Sequence, residues 1–159
     1  MDWLGTVVTV RYTLSALVLA PGDRVLAVRS QDDPDGLYRL PGTADREVSD
    51  PYELMATVAA ETGLTLPAGR VLAEDIVGDD PRSDSPLRIH RVLLFPRVPD
   101  RCPLTLAGGL EDYRWLAATG LAAYCGEQTP LIETALTAYR TGTSPRLHNG
   151  VIVTERRAA

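Results

Sequence analysis

The chain has 159 residues, of which 45% are hydrophobic and 23% charged, and its formal net charge is −5. These values are typical of one globular domain that is large enough to bury its own core. The negative charge excludes a chain-wide field that would attract nucleic acids, and no apolar run is long enough to span a membrane. We therefore expect a cytoplasmic protein that has neither a nucleic acid nor a membrane as its partner.

The numbers of lysine, cysteine and histidine residues limit the catalytic and metal-binding chemistry that the chain can support. All 16 basic residues are arginine, so the chain has no lysine for a Schiff base. The two cysteines (Cys102, Cys125) and the two histidines (His90, His148) lie in separate segments. This excludes a disulfide scaffold and argues against a zinc site.

The first forty residues predict strands. β-branched residues between Thr6 and Leu19 predict one long strand or two short ones. A Pro-Gly-Asp turn and a second apolar run over residues 24–29 complete a predicted hairpin. A short strand is then expected over Leu37–Leu40, ending at Pro41-Gly42, where Gly42 would provide a positive φ.

The next helix has clear sequence boundaries. Asp50 is a favourable N-cap, Pro51 fits the first helical position, and Glu53 would complete a capping box with Asp50. Gly63 is expected to end the helix in a left-handed conformation.

The C-terminal half predicts further strands and a second helix. The strands are expected over Val71–Val77, Leu87–Val98, Tyr113–Leu116 and Val151–Thr154, the helix over Pro130–Tyr139, and an acidic loop over residues 78–86. Together these elements predict an α+β fold with a mixed sheet. We expect residues 1–159 to form a single domain with a core over about 12–140 and a C-terminal extension over 141–159.

The region from residue 40 to residue 64 resembles the signature of the Nudix hydrolase superfamily, G-x5-E-x7-R-E-U-x-E-E-x-G-U, in which U is a bulky apolar residue. Gly42 and Gly63 have the spacing of its first and last glycines, Val58 and Leu64 occupy its apolar positions, and Glu61 occupies its last glutamate position. The resemblance implies a Nudix-like α/β/α sandwich. It also implies a helix whose glutamates hold Mg²⁺ against a diphosphate.

The chain departs from this signature at its charged positions. Ala56 replaces the arginine, Thr57 the glutamate that follows it, and Ala60 the first glutamate of the final pair. Val48 stands at the early glutamate position, with Glu47 one residue before it. Because hard cations require carboxylate oxygens, we expect that Mg²⁺-dependent hydrolysis has been lost and that no cofactor is needed.

The candidate site residues follow from the resemblance and from their positions. They are Glu61 and Glu47 as catalytic groups, Tyr38, Arg39, Gly42, Thr57, His90 and Asp112 for substrate binding, and Glu61 with Glu111 as metal ligands if a metal binds. Strand alternation allows only one of Tyr38 and Arg39 to face the cleft. A carboxylate near a helix C-terminus is mildly unfavourable, so Glu61 predicts a partner, either a cation or an arginine. His90 is interpreted as a strand histidine that is exposed or hydrogen-bonded, with acid/base catalysis as the alternative.

Three functions remain open from the sequence. The first is a Nudix-fold module that binds a nucleotide-like small molecule, and the second is an enzyme of specialised metabolism that uses acid/base chemistry without metal. The third is an active hydrolase of a nucleoside diphosphate derivative, with Mg²⁺ held by a rearranged site of Glu61, Glu47 and Glu111. The resemblance also leaves a homodimer open, in which the strand over Val151–Thr154 would extend a neighbour's sheet.

Overall fold

A computed structural model describes residues 9–78, 87–99 and 102–154 of the chain. Its strands are β1 (Val10–Leu17), β2 (Leu19–Ala20), β3 (Arg24–Ser30), β4 (Val71–Val77), β5 (Leu87–Leu94), β6 (Leu110–Leu116), β7 (Arg146–His148) and β8 (Val151–Thr154). The α-helices are α1 (Pro51–Thr62), α2 (Leu121–Cys125) and α3 (Thr129–Thr141). The start of the first predicted strand, at Thr6, and most of the predicted acidic loop lie outside the described residues.

The strands form two sheets. A five-stranded mixed sheet has the order β1-β5-β4-β7-β8, and a three-stranded antiparallel sheet has the order β2-β3-β6. Strands β1 and β5 are parallel, as are β4 and β7, whereas β4 and β5 are antiparallel. The predicted α+β class and mixed sheet are therefore confirmed.

The two long helices cover opposite faces of the larger sheet. Leu54 and Val58 of α1 belong to the core cluster of Leu14 and Leu93. The apolar side of α3 belongs to the second core cluster, together with Leu17, Val92 and Leu147. This arrangement follows from strand alternation, because Leu14 and Leu17 of β1 point to opposite faces. The result is the α/β/α sandwich that the resemblance implies.

The free edge of β1 is covered by the segment that leads into α1. The amide of Ala16 donates to the Pro41 carbonyl, the amide of Thr43 donates to the Leu14 carbonyl, and Tyr12 exchanges two backbone hydrogen bonds with Arg46. These contacts pair the 41–46 segment with β1 and protect the edge. They also hold the loop before α1 against the sheet.

Helix α1 has the ends that the sequence predicts. The Asp50 side chain accepts a hydrogen bond from the Tyr52 amide at 2.9 Å, Pro51 begins the helix, and Gly63 ends it with φ of 78°. The Glu53 carboxylate differs from the prediction, since it pairs with Arg46 at 2.5 Å. Glu53 thus forms an ion pair with Arg46 instead of the capping box that was predicted with Asp50.

The C-terminal end of α1 is tied to the segment before β6. The carbonyls of Glu61 and Thr62 accept hydrogen bonds from the amides of Ala107 and Thr105, at 3.0 and 3.1 Å. These are carbonyl groups that a helix end leaves unsatisfied. The segment thus completes the hydrogen bonding of the helix and fixes the position of Glu61.

Several predicted boundaries are corrected. Residues 37–40 form only an isolated bridge between Arg39 and Val28 instead of a strand. The fifth strand ends at Leu94, and the sixth begins at Leu110, earlier than predicted. Helix α2 and strand β7 were not predicted, because a five-residue helix and a three-residue strand are too short to show a clear period. None of the helices in the described ranges combines the length and apolar character of a membrane span.

Candidate functional site

A cavity of about 330 Å³ lies beside the end of α1. Its lining residues are Thr13, Ser15, Arg39, Leu40, Gly42, Thr43, Ala44, Glu61 and Gln128. Strand β1, the segment that covers its edge, helix α1 and the residue just before α3 therefore each contribute to one pocket. Of the predicted site residues, Arg39, Gly42 and Glu61 line it directly.

Gly42 allows this pocket to form because its backbone approaches β1 very closely. A Cβ atom at this position would lie 2.3 Å from the Leu14 carbonyl oxygen and 3.0 Å from Ser15 Oγ. The prediction of a positive φ is wrong, since Gly42 is not among the positive-φ glycines of the described residues. Glycine is needed here for close packing instead of for an unusual backbone conformation.

Glu61 is the carboxylate of the pocket, and its partner is an arginine. Its side chain is 16% exposed, and its Oε2 lies 3.8 Å from Arg39 Nη2. That oxygen is buried and has no hydrogen-bond partner among the described residues. Burial raises the pKa of Glu61, and the nearby positive charge of Arg39 partly opposes this rise. The site thus holds a carboxylate that has spare hydrogen-bonding capacity.

Ser15 and His90 form a second polar pair at the same pocket. Ser15 is 2% exposed, and its Oγ lies 2.7 Å from His90 Nε2. Desolvation lowers the pKa of His90 from its usual 6.5 to about 4, an effect that the charge of Asp45 partly opposes. His90 is therefore neutral at physiological pH. It is a hydrogen-bonded strand histidine, in agreement with the first interpretation of the sequence.

Tyr38 lies at a neighbouring cavity of about 390 Å³, which shares Arg39 and Gln128 with the first. Its hydroxyl donates to Asp112 and accepts a hydrogen bond from Arg114 Nε at 3.0 Å. The hydrogen bond from Tyr38 is the main reason that the pKa of Asp112 is lowered. Tyr38 and Asp112 are thus engaged with each other, and Arg39 is the one of the pair Tyr38/Arg39 that faces Glu61.

Glu47 and Glu111 do not line the cavity of Glu61, and each pairs with an arginine. The Glu47 side chain is 82% exposed and pairs with Arg11 at 3.5 Å. Glu111 lies in β6 and pairs with Arg29 at 2.8 Å. Within residues 9–78, 87–99 and 102–154, no three histidine, cysteine or acidic side chains are grouped so that they could hold a metal ion. The structure does not bring Glu61, Glu47 and Glu111 together.

The sequence analysis missed several lining residues, including Thr13, Ser15 and Gln128. Ser15 carries a recognisable signal, since it is a polar residue between Leu14 and Ala16 in an otherwise apolar strand segment. Gln128 has no such signal. It comes to the pocket through the fold, where its Oε1 accepts a hydrogen bond from the Leu40 amide at 2.9 Å.

The fold of this chain is similar to the folds of several solved structures. A MutT protein from Methanosarcina mazei is 16% identical with a TM-score of 0.63, covering 86% of this chain and 97% of that one. An ADP-ribose pyrophosphatase from Streptococcus suis is 17% identical with a TM-score of 0.62, covering 87% and 98%. The Nudix domain of Shewanella oneidensis NrtR, complexed with ADP ribose, is 17% identical with a TM-score of 0.62, covering 87% and 94%.

These similarities show that the chain has the Nudix fold. No family model matches the sequence, and no curated protein matches it in sequence. The fold is therefore shared at a sequence identity of 16–17% to these three structures.

The residues present do not fit the Mg²⁺ site that the Nudix resemblance implies. Ala56 and Ala60 are exposed on α1, and Thr57 is half-buried there. Neither alanine offers a ligand atom, and a threonine hydroxyl lacks the charge that Mg²⁺ requires. Around Glu61, the nearby positive group is the guanidinium of Arg39. The Glu61 carboxylate thus has an arginine of the same chain as its charged neighbour.

Proposed function

We propose that this Nudix-fold chain binds, or acts without metal on, a nucleotide-like or specialised-metabolite small molecule in the Glu61 cavity. It has lost the Mg²⁺-dependent hydrolysis of diphosphates. The observation that carries the proposal is the pairing of Glu61 with Arg39 at 3.8 Å. The positive charge of Arg39 offsets the charge of the Glu61 carboxylate and so weakens its attraction for a divalent cation.

The charge of the cavity supports a ligand of low charge. Its lining residues include one acid, Glu61, and one base, Arg39, and the rest are uncharged. The hydroxyl groups of Thr13 and Ser15 and the spare Glu61 oxygen add hydrogen-bonding groups. A pocket with balanced charge and a few polar groups favours an uncharged ligand, or the uncharged part of a nucleotide, over a metal–diphosphate complex.

Thermal shift measurements with and without EDTA test the proposal. ADP-ribose is one probe, because it is the ligand in the complex of the NrtR Nudix domain. Uncharged nucleosides form the second set of probes. A ligand at 100 times its Kd stabilises the folded protein by about 2.7 kcal/mol, which is readily detected. We expect stabilisation by at least one probe that EDTA leaves unchanged, with no phosphate-containing product when Mg²⁺ is added.

Two glutamine variants on the same helix provide the matched comparison. Glu61→Gln removes the charge inside the cavity and is expected to reduce the ligand-induced shift. Glu53→Gln removes a charge that pairs with Arg46 outside the cavity and is expected to leave the shift unchanged. Mg²⁺-dependent cleavage of a diphosphate by the unmodified protein would overturn the proposal and favour the active hydrolase.

A further inference from the structure

The pair formed by Ser15 and His90 joins β1, the edge strand of the larger sheet, to its neighbour β5. Strands β1 and β5 are parallel neighbours in which Thr13 is the register partner of His90. Register partners and residues two apart on one strand share a face, so Thr13, Ser15 and His90 lie on the same side of the sheet. The 2.7 Å contact between Ser15 Oγ and His90 Nε2 follows from this placement.

Burial keeps the ring of His90 neutral, and the charged groups around it do not reverse this effect. Asp45 is the acid whose charge acts on the ring, but it already accepts a hydrogen bond from Thr13 and lies 3.8 Å from Arg88. Asp75 is the register partner of His90 on β4, and its carboxylate accepts a hydrogen bond from the amide of Gly150. A neutral ring that carries its proton on Nδ1 has a free lone pair at Nε2, which can accept the Ser15 proton.

The position of Ser15 gives this pair access to the cavity. Ser15 is a lining residue, and Gly42 leaves open the space next to its Oγ that a Cβ atom would fill. Arg39 lines the same cavity and provides a positive charge. A hydroxyl bonded to a neutral histidine, facing a pocket of balanced charge, is the arrangement in which serine is activated as a nucleophile.

We propose that Ser15 is a catalytic nucleophile and His90 its general base, acting on a small uncharged ester that occupies the Glu61 cavity. Ser15 Oγ bonds to the ester carbonyl carbon while His90 Nε2 accepts the hydroxyl proton. The carbon–oxygen bond to the leaving alcohol then breaks, and His90 returns the proton to that oxygen. The acyl group remains on Ser15 as an ester, and water releases it as a carboxylic acid. This inference rests on the proposed function, because both require a small molecule in the same cavity.

Acylation by p-nitrophenyl acetate tests the proposal. We expect a burst of p-nitrophenolate and one acetyl group per chain, located at Ser15 by peptide mass spectrometry. Ser15→Ala removes the acceptor, whereas His90→Gln keeps a hydrogen-bonding side chain but no base and is expected to slow acetylation by about 100-fold. Ser49→Ala is the matched control, because Ser49 is hydrogen-bonded to Arg91 at 2.9 Å and is not a lining residue.

The pH profile separates a base from a merely structural histidine. Acetylation is expected to rise as pH passes about 4 and then stay level to pH 8, because His90 loses its proton in that range. Circular dichroism melting confirms that each variant is folded. Absence of acetyl-Ser15 in folded protein, or equal acetylation in folded His90→Gln, would overturn the proposal.

The same samples separate this inference from the proposed function. An EDTA-insensitive thermal shift without acetyl-Ser15 would support the proposed function. It would overturn the proposal that Ser15 is a nucleophile. Formation of acetyl-Ser15 together with Mg²⁺-dependent cleavage of ADP-ribose would support Ser15 as the nucleophile. It would overturn the proposal that metal-dependent hydrolysis has been lost.

Discussion

The pair of Glu61 and Arg39 makes a quantitative prediction about stability. At 3.8 Å, two unit charges attract each other by about 4 kcal/mol at an effective dielectric constant of about 20. Arg39 is 38% exposed, and water therefore screens its charge. We expect a coupling energy of about 1–2 kcal/mol, which is more than a surface ion pair gives and less than the unscreened attraction.

A double-mutant cycle with Arg39→Met and Glu61→Gln measures this coupling. Urea unfolding gives the free energy of unfolding of the four proteins at pH 7. Because burial raises the pKa of Glu61, its ionised form costs stability at neutral pH, and the cost disappears as pH falls through that pKa. Arg39→Met should increase the cost, and adding Glu61→Gln should remove it. A coupling energy below about 0.3 kcal/mol at low salt would refute the assignment of Arg39 as the partner of Glu61.

Three further predictions concern the metal site, the close packing of the cavity and the pH dependence of folding. Combining Thr57→Glu with Ala60→Glu should raise Mg²⁺ affinity in calorimetry, and micromolar Mg²⁺ binding by the unmodified protein would contradict our view of the site. Gly42→Ala should lower the free energy of unfolding by about 1–3 kcal/mol in urea, because its methyl group meets the Leu14 carbonyl, and unchanged stability would show that the approach is looser. The His90 pKa of about 4 lies below its unfolded value of 6.5. The free energy of unfolding should therefore decrease by up to about 3 kcal/mol as the pH is lowered from 6.5 to 4. In His90→Gln the decrease in the free energy of unfolding over this pH range should be smaller. A pH dependence identical to that of the unmodified protein would show that His90 does not cause it.

The sequence predicts those parts of the fold that depend on local signals. The ends of α1 follow from Asp50, Pro51 and Gly63, whose conformational preferences act within one turn of the helix. The bounds of β4 follow from the apolar residues at its two ends. The turn before β8 follows from Asn149-Gly150, which has positive φ at both residues.

The candidate site is only partly predictable because it depends on contacts between distant segments. Glu61 and Arg39 are separated by 22 positions along the chain, and alternation alone leaves open whether Tyr38 or Arg39 faces the cleft. The hydrogen bond between Ser15 and His90 depends on the parallel pairing of β1 and β5, which a sequence pattern does not specify. Glu47 and Glu111 were predicted as site residues, but in the fold they pair with Arg11 and Arg29 and do not line the cavity.

The hydrogen bonds that join the end of α1 to residues 105–107 have a mechanical consequence. The Ala107 amide donates to the Glu61 carbonyl, and the Leu110 amide at the start of β6 in turn donates to the Ala107 carbonyl. Strand β6 belongs to the smaller sheet, where it pairs with β3. A displacement of the α1 end would therefore reach the smaller sheet through main-chain hydrogen bonds, which no side-chain substitution removes.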